Sequence, residues 1–450
     1  MDKLFGTDGI RGVANTYPMD VEAAVAAGRA IARWVAPAEG DTKLIVIGRD
    51  TRLSGDMIAQ AVGAGICSAG VDIALLDVIP TPAVAYLAAE FGAAAGVVIS
   101  ASHNPFEFNG IKVFDARGCK LNDQDEARIE GWIHDGPAET SLKAEPEGIG
   151  RIRSMEKARD RYISFLLSAV PNLSLDGMVI ALDCANGATF QIAPELFERL
   201  GAQVIPMFCK PDGININDGC GSQHPQAMAA CVVERHADLG LAFDGDGDRL
   251  IAVDERGTVL TGDQIMAVCA RDLKTKGQLR NNAVVSTIMS NLGFHQAMQQ
   301  QGITLYTTQV GDRYVMQEML AKDAVLGGED SGHMIFRDAH TTGDGLMAAL
   351  RLLDALRSAN RPLSELSRIM TVFPQKLINV DVQDKPELGS IPEITAAVQK
   401  VEKQLGTQGR VLVRYSGTQP QCRVMVEGPT KELTERCCRQ IADVVQKVLG

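Results

Sequence analysis

The chain has 450 residues, 46% hydrophobic and 22% charged, with 44 glycines; since single cores rarely grow past ~250 to 300 residues, three or four soluble α/β domains are expected, and a fibre or a disordered chain is excluded. The 44 basic and 56 acidic residues leave a net charge of −12 with no basic cluster, so the long-range field repels nucleic acid and anionic membrane, and an anionic ligand must be held by local cations. Ten scattered cysteines without a C-x-x-C pair, an N-terminus without a signal-peptide core and no apolar run near ~18 residues predict reduced thiols and a cytoplasmic protein.

Apolar strand-like runs at Leu44 to Gly48, Val71 to Leu76 and Val97 to Ile99 alternate with alanine-rich helical stretches at Val21 to Val35 and Asp56 to Ala69, the pattern of βαβ units. Thr81-Pro82 reads as N-cap and first helical residue, with Gly92 as the stop after Ala83 to Phe91. Composition loosens at Ser141 to Ile152, an exposed linker around Glu145-Pro146-Glu147-Gly148. A second α/β block follows over 151–250, with strands near Val179 to Leu182 and Gly240 to Phe243. A third, 251–368, opens on the strand-like Leu250 to Val253, continues with strands near Val284 to Thr287 and Ile303 to Thr307 and ends in the helical Gly345 to Ser358. Beyond Phe373-Pro374, strands at Leu377 to Val382, Val411 to Tyr415 and Cys422 to Val426 precede a helix from Lys431 to Val448, a smaller α+β domain over 369–450. The fold class is therefore three consecutive α/β domains with mixed sheets, the first at 1–150, and a C-terminal α+β domain.

Ser102 lies where the apolar strand Val97-Val98-Ile99 breaks into Ser100-Ala101-Ser102-His103-Asn104-Pro105. A hydroxyl can carry a phosphoryl group through two easier steps in place of one hard one, provided a cation screens the charge; a plain turn cap uses the same residues. A Ser-His hydrolase is disfavoured, because adjacent residues seldom have triad geometry and no G-x-S-x-G elbow is present. Asn109-Gly110-Ile111-Lys112 reads as a tight turn returning Lys112 toward such a phosphate.

The strongest signal is Phe243-Asp244-Gly245-Asp246-Gly247-Asp248-Arg249. Three carboxylates at alternate positions, spaced by glycines, can converge on one hard cation such as Mg²⁺, and Arg249 can then meet a phosphate. An EF-hand fails, since Arg249 stands where that loop needs glycine and Leu250 to Val253 offers no ligands. A phosphatase of the aspartyl-phosphate type remains the rival enzyme class, and a solvated acidic loop is the bland alternative.

Gly327-Gly328-Glu329-Asp330-Ser331-Gly332-His333 reads as a flexible loop whose Glu329 and Ser331 suit sugar hydroxyls and whose His333 can move protons near neutral pH. Arg414-Tyr415-Ser416-Gly417-Thr418-Gln419-Pro420, followed by Arg423, resembles a phosphate cradle of backbone N–H groups, hydroxyls and guanidinium charge, or a polar hairpin turn. Phe5-Gly6-Thr7-Asp8-Gly9-Ile10-Arg11-Gly12 is a glycine-rich loop presenting Arg11, without the G-K-[ST] ending of a P-loop.

Serine loop, metal loop, sugar loop and phosphate loop, in that order over the whole chain, resemble the α-D-phosphohexomutase family. The words Asn215-Ile216-Asn217, Cys220-Gly221-Ser222, Met289-Ser290-Asn291, Val310-Gly311-Asp312-Arg313-Tyr314-Val315, Thr342-Gly343-Asp344-Gly345 and Ser416-Gly417-Thr418 are similar to the branch acting on glucosamine phosphates. The resemblance implies four domains around a central cleft and a phosphoserine at Ser102. It also implies one Mg²⁺ on Asp244, Asp246 and Asp248, with Ser102 contributing a phosphate oxygen. The implied reaction interconverts glucosamine 6-phosphate and glucosamine 1-phosphate through a sugar 1,6-bisphosphate, for UDP-N-acetylglucosamine synthesis. Within that picture Lys112 and Arg11 stabilise the moving group, His103 and His333 are the proton-transfer candidates, and Arg249, Glu329, Ser331, Arg414, Ser416, Gly417, Thr418 and Arg423 bind substrate. Expected partners are a hexosamine phosphate, neither nucleic acid nor membrane, with a homodimer among the allowed assemblies. Alternatives are a phosphomannomutase or phosphoglucomutase of the same family, a sugar-phosphate phosphatase, and a non-enzymatic phosphosugar-binding protein. Gln419 and Asp330 depart from the usual Glu and Gln, which bears on sugar preference.

Overall fold

The computed structural model describes residues 3–6, 8–35, 44–134, 143–416 and 420–450, which group into two compact units, residues 1–289 with 303–368 and residues 290–302 with 369–450. In the larger unit the first sheet runs Phe5–Gly6, Gly9–Val13, Phe108–Asp115, Ala95–Ile99, Leu44–Arg49, Asp72–Val78, Ile152–Ser154 in spatial order. Ala95–Ile99 lies parallel to Leu44–Arg49 and antiparallel to Phe108–Asp115. Its residues are all buried, as expected of a central strand with both faces covered, and this is why the run at 97–99 is continuously apolar. Helices Val21–Val35 and Gly55–Ser68 cross closely on one face. A Cβ on Gly28 would stand 2.1 Å from the Val62 carbonyl oxygen, and one on Gly65 2.3 Å from that of Val25, so both positions require glycine.

The second sheet is ordered Val259–Leu260, Leu250–Asp254, Leu239–Phe243, Val179–Asp183, Gln203–Met207, and the third Thr304–Thr308, Ala283–Thr287, Leu326–Gly328, Met334–Phe336. Both are mixed, so the three-sheet α/β expectation holds. The smaller unit has a three-stranded antiparallel sheet, Gln375–Asp381, Gln421–Glu427, Arg410–Tyr415, packed with helices Pro392–Leu405 and Lys431–Leu449 around Val380, Val401, Val424, Cys438 and Ile441. The ten cysteines are free. Among the described residues no helix is long and apolar enough to cross a membrane.

Several readings of the sequence are corrected. Leu250 to Val253 does not open a third block; it pairs antiparallel with Leu239–Phe243 in the second sheet, because the intervening Asp-Gly turn folds the chain straight back. Ile152–Ser154, which starts on the last residue of the expected linker, pairs with Asp72–Val78 at the edge of the first sheet; three exposed residues carry no periodicity to announce a strand. Helix Leu292–Gln300 belongs to the C-terminal unit, where Asn291 Nδ2 donates to the Phe373 carbonyl (3.0 Å) and Leu292 N–H to Glu427 Oε2 (2.8 Å). Thr81 is not an N-cap: Thr81–Glu90 is capped by Pro80 without a side-chain bond, since the Thr81 hydroxyl is used elsewhere.

His340 ties the third sheet's flank to the first. Its Nδ1 accepts from Thr341 N–H (2.8 Å), so Nε2 carries the proton and donates to the Pro82 carbonyl (3.0 Å). Burial holds this imidazole down at about 4, whereas an unfolded histidine titrates near 6.5. The folded protein thus binds fewer protons than the unfolded chain below pH ~6.5, and stability is lost as pH falls from there through about 4, by roughly 3 kcal/mol from this group. Urea midpoints measured from pH 7.5 to 4 are expected to fall less steeply in His340→Gln than in wild type; parallel slopes would refute the assignment.

Candidate active site

Ser102 sits just past the end of strand Ala95–Ile99 with φ +54, a left-handed conformation that costs a non-glycine residue about 1 kcal/mol. That turn delivers its buried hydroxyl to Asp244, Oγ donating to Oδ2 at 2.7 Å. The Asp244 turn follows the end of strand Leu239–Phe243, with Gly247 at φ +74. There Asp244, Asp246 and Asp248 are buried and offer carboxylate oxygens within 4.8 Å of one another. Asp246 Oδ1 and Asp248 Oδ1 have no hydrogen-bond partner although buried. Three hard oxygen donors, two of them unsatisfied, fit a divalent cation of the Mg²⁺ type.

Charge around the trio is graded. Burial, then Asp248 and Asp246, push the Asp244 carboxyl well above the usual carboxylate range. Burial also opposes charge on Asp246, but Lys112 Nζ at 2.8 Å and the Thr81 hydroxyl at 2.6 Å overcome it and hold that carboxyl below its ordinary value. Thr81 is a site residue that the sequence reading missed, having assigned its hydroxyl to a helix cap. Lys112 is held protonated: burial is outweighed by Asp246, Asp8 (2.8 Å) and Asp248 (3.8 Å).

Lys112 does not arrive by a tight turn. Asn109 to Lys112 lies inside strand Phe108–Asp115, with Lys112 opposite Val98, so sheet register aims the ammonium at the aspartates. The expected glycine-rich loop is likewise a hairpin, Phe5–Gly6 against Gly9–Val13, whose second strand carries Arg11 beside Asp8. Asp8 binds Arg11, Lys112 and Lys120, and Lys120 also binds Asp312. Burial resists charge on Asp8, but Lys112, Lys120 and Arg11 keep its carboxyl well below the ordinary range. Asp8, Lys120 and Asp312 were also missed as a cluster, because they lie far apart in the chain and no local motif joins them.

The loop at Gly327 to His333 is a hairpin turn between strands Leu326–Gly328 and Met334–Phe336. Glu329 Oε1 accepts from Gly311 N–H (3.0 Å) and Oε2 from the Ser331 hydroxyl (3.4 Å). The Asp330 carbonyl accepts from Gly262 N–H (3.0 Å). His333 forms a bridge with Arg249 and brings Nε2 to 4.0 Å from Asp248 and 3.7 Å from Asp312, its ring nitrogens otherwise without hydrogen bonds. Arg249 donates its N–H to Asp244 Oδ1 (3.1 Å) and holds Nε 3.8 Å from Asp248. His103 Nδ1 lies 3.4 Å from Ser102 Oγ; burial, Arg249 and Arg11 lower this imidazole to about 4, so it is neutral at pH 7. The larger unit thus gathers Arg11, Ser102, His103, Lys112, the three aspartates, Arg249 and His333, joined by Glu329 and Ser331 on the adjoining turn.

In the C-terminal unit Arg414 and Arg423 face each other across antiparallel strands, an arrangement of like charges that is unfavourable unless an anion joins them. Burial and Arg423 lower Arg414 below the usual guanidinium value. Arg410 on the same sheet is neutralised by buried Glu427 (2.8 Å), whereas among the described residues no carboxylate comes within ion-pair distance of Arg414 or Arg423. Arg423 Nη2 donates to Ser416 Oγ (3.4 Å), and Lys385 Nζ to the Ser416 carbonyl (2.7 Å). Three cations around Ser416 suit a phosphate. Gly417, Thr418 and Gln419, like Thr7, lie outside the described residues.

The family models of phosphoglucomutase/phosphomannomutase match along the chain: α/β/α domain I at 2–139, domain II at 160–257, domain III at 261–373 and the C-terminal domain at 377–444. The phosphoglucosamine mutase of Syntrophus aciditrophicus is 54% identical over 451 residues, covering 100% of both chains, and that of Syntrophobacter fumaroxidans 52% over 452, again covering 100% of both. A phosphoglucomutase/phosphomannomutase family protein from Burkholderia thailandensis superposes with TM-score 0.81 at 23% identity over 99% of this chain and 97% of its own. N-acetylphosphoglucosamine mutase of Aspergillus fumigatus, solved with GlcNAc-6P and magnesium, gives TM-score 0.70 at 16% identity over 99% and 96%.

Proposed function

The chain belongs to the phosphoglucomutase/phosphomannomutase family, and on that premise we propose that this phosphohexomutase, an isomerase, interconverts glucosamine 6-phosphate and glucosamine 1-phosphate through a phosphoserine at Ser102. The observation that carries the reading is the 2.7 Å contact of the Ser102 hydroxyl with the buried aspartate trio. Identity near one half over full length to phosphoglucosamine mutases supports the amino sugar as substrate.

In the proposed cycle phosphoserine 102 gives its phosphoryl to O1 of the 6-phosphosugar: the bond from phosphorus to Oγ breaks, that to O1 forms, and the O1 proton is passed to Oγ, leaving a serine hydroxyl. The resulting 1,6-bisphosphate turns over, and the Ser102 hydroxyl takes the 6-phosphoryl while O6 regains a proton. Asp244, Asp246 and Asp248 would hold Mg²⁺ beside phosphoserine 102, where the ion would screen the charge of the phosphoryl oxygens. Lys112 and Arg11 stabilise the same charge from the protein side. Neutral His103 can accept a proton near Oγ, and His333 is the second group able to move one. Glu329, Ser331 and Arg249 hold the sugar and its reacting phosphate. Arg414, Ser416, Gly417, Thr418 and Arg423 grip the phosphate at whichever end is idle.

Comparing kcat/KM for glucosamine, glucose and mannose 6-phosphates in the presence of a sugar 1,6-bisphosphate and Mg²⁺ tests the reading. Glucosamine 6-phosphate is expected to lead by about tenfold or more. Preference for glucose or mannose phosphate would overturn the substrate, and steady release of inorganic phosphate without isomerisation would overturn the mutase reading in favour of a phosphatase.

A further inference from the structure

Arg52 is buried, with a side chain 0% exposed, and it lies outside the groups that face the trio. Its guanidinium has five N–H donors, and five contacts account for them. Nε donates to Asp50 Oδ2 (2.8 Å), Nη1 to the carbonyls of Pro105 and Phe108 (the latter at 2.9 Å), and Nη2 to the carbonyls of Ser102 (2.9 Å) and Asn104 (2.8 Å). Four carbonyls of the segment 102–108 thus converge on one cation. The main-chain N–H of Ser102 is held from the same source: it donates to Ser100 Oγ (2.9 Å), whose hydroxyl donates to Asp50 Oδ2 (2.5 Å), the oxygen that also accepts from Arg52. Asn217 Nδ2 adds a second donor to the Ser102 carbonyl (2.9 Å).

We propose that Arg52, with Asp50 and Ser100, is the positioning residue of the phosphoryl-carrying serine: it holds Ser102 in its left-handed conformation so that Oγ stays on the aspartate trio. This deepens the phosphoserine reading and rests on it. A residue forced to positive φ persists only where its surroundings over-determine it, and both the amide before the Ser102 side chain and the carbonyl after it are fixed by this one ion pair. Lysine cannot replace the arginine, because its three donors cannot reach Asp50 and four carbonyls in a planar fork. Misplacement of a reacting group by ~1 Å costs about 10²-fold in rate, while substrate held by other loops is bound as before.

The experiment measures kcat, KM and phosphoryl uptake on Ser102 from a labelled sugar 1,6-bisphosphate for wild type, Arg52→Lys and Ser100→Ala, each at a temperature where its melting curve shows it folded. Expected are a kcat roughly 10²-fold lower in R52K and about tenfold lower in S100A, with slower uptake and KM within about threefold of wild type. If R52K does not fold, S100A decides, since it cuts the relay without removing a charge. Wild-type kcat and uptake in the folded variants, with only a lower melting temperature, would overturn the assignment alone. A wild type that takes up no phosphoryl would overturn the phosphoserine reading and this inference with it.

Discussion

Ser102→Ala is expected to abolish phosphoryl uptake from a labelled sugar bisphosphate and to lower mutase turnover by about 10³-fold or more, the range lost when a covalent route closes. The substitution removes one oxygen with its 2.7 Å bond to Asp244 and its longer 3.4 Å contact with His103 Nδ1, so the melting temperature is expected to move little, a change of about 1 kcal/mol. Thr81 gives the experiment its internal control. It too is buried and its hydroxyl donates to the trio, at 2.6 Å from Asp246 Oδ2, yet it opens a helix whose main-chain N–H is bound to the Asp246 carbonyl (2.9 Å). Mass spectrometry of the labelled wild type is therefore expected to find phosphate on Ser102 and none on Thr81. Near-native turnover in Ser102→Ala, or label on Thr81, would sink the scheme.

What could be read beforehand follows how local each signal is. The Ser102 turn and the Asp244 to Asp248 loop are each complete within a few residues, and the apolar strands leading into them are nearly continuous, so their positions at strand ends were legible. Lys112 was identified with the wrong local structure: Asn109-Gly110 looks like a turn, but Gly110 lies where a Cβ would come within 2.6 Å of the Ser100 carbonyl oxygen, so glycine there serves a close strand pairing. The Asp50-Arg52 pair was overlooked because charged residues are ordinarily read as surface. A signal was available, since both follow the carboxyl end of the central strand Leu44–Arg49, the edge of an α/β sheet where sites form. Asp8, Lys120 and Asp312 meet only through tertiary folding, and no spacing rule could have paired them. The run at Leu250 to Val253 was recognised as a strand but assigned to the wrong sheet, because periodicity reveals burial and not the neighbour.

Asp248→Asn separates the metal-binding role from the structural one through two effects of opposite sign. The trio packs three buried carboxylates, and Asp244 is driven far above its ordinary range by burial together with Asp248 and Asp246. Removing the charge at 248 relieves that repulsion while leaving the 2.8 Å contact of Lys112 with Asp246 intact, since Lys112 stands 3.8 Å from Asp248. In chelator the variant is therefore expected to melt at or above the wild type. With millimolar Mg²⁺ the order reverses: wild type gains stability by mass action, about 3 kcal/mol when the ion stands at a hundredfold its dissociation constant. The variant, with one charged ligand fewer, gains little. Turnover in the variant is expected to drop by roughly 10² to 10³-fold, as when electrostatic stabilisation of a moving phosphoryl group is lost. Asp246→Asn would be a poorer choice, because it also breaks the pair with Lys112 and the bond from Thr81. An Asp248→Asn protein that Mg²⁺ stabilises as much as it does the wild type would mean that the cation sits elsewhere, and the chemistry assigned to the trio would go with it.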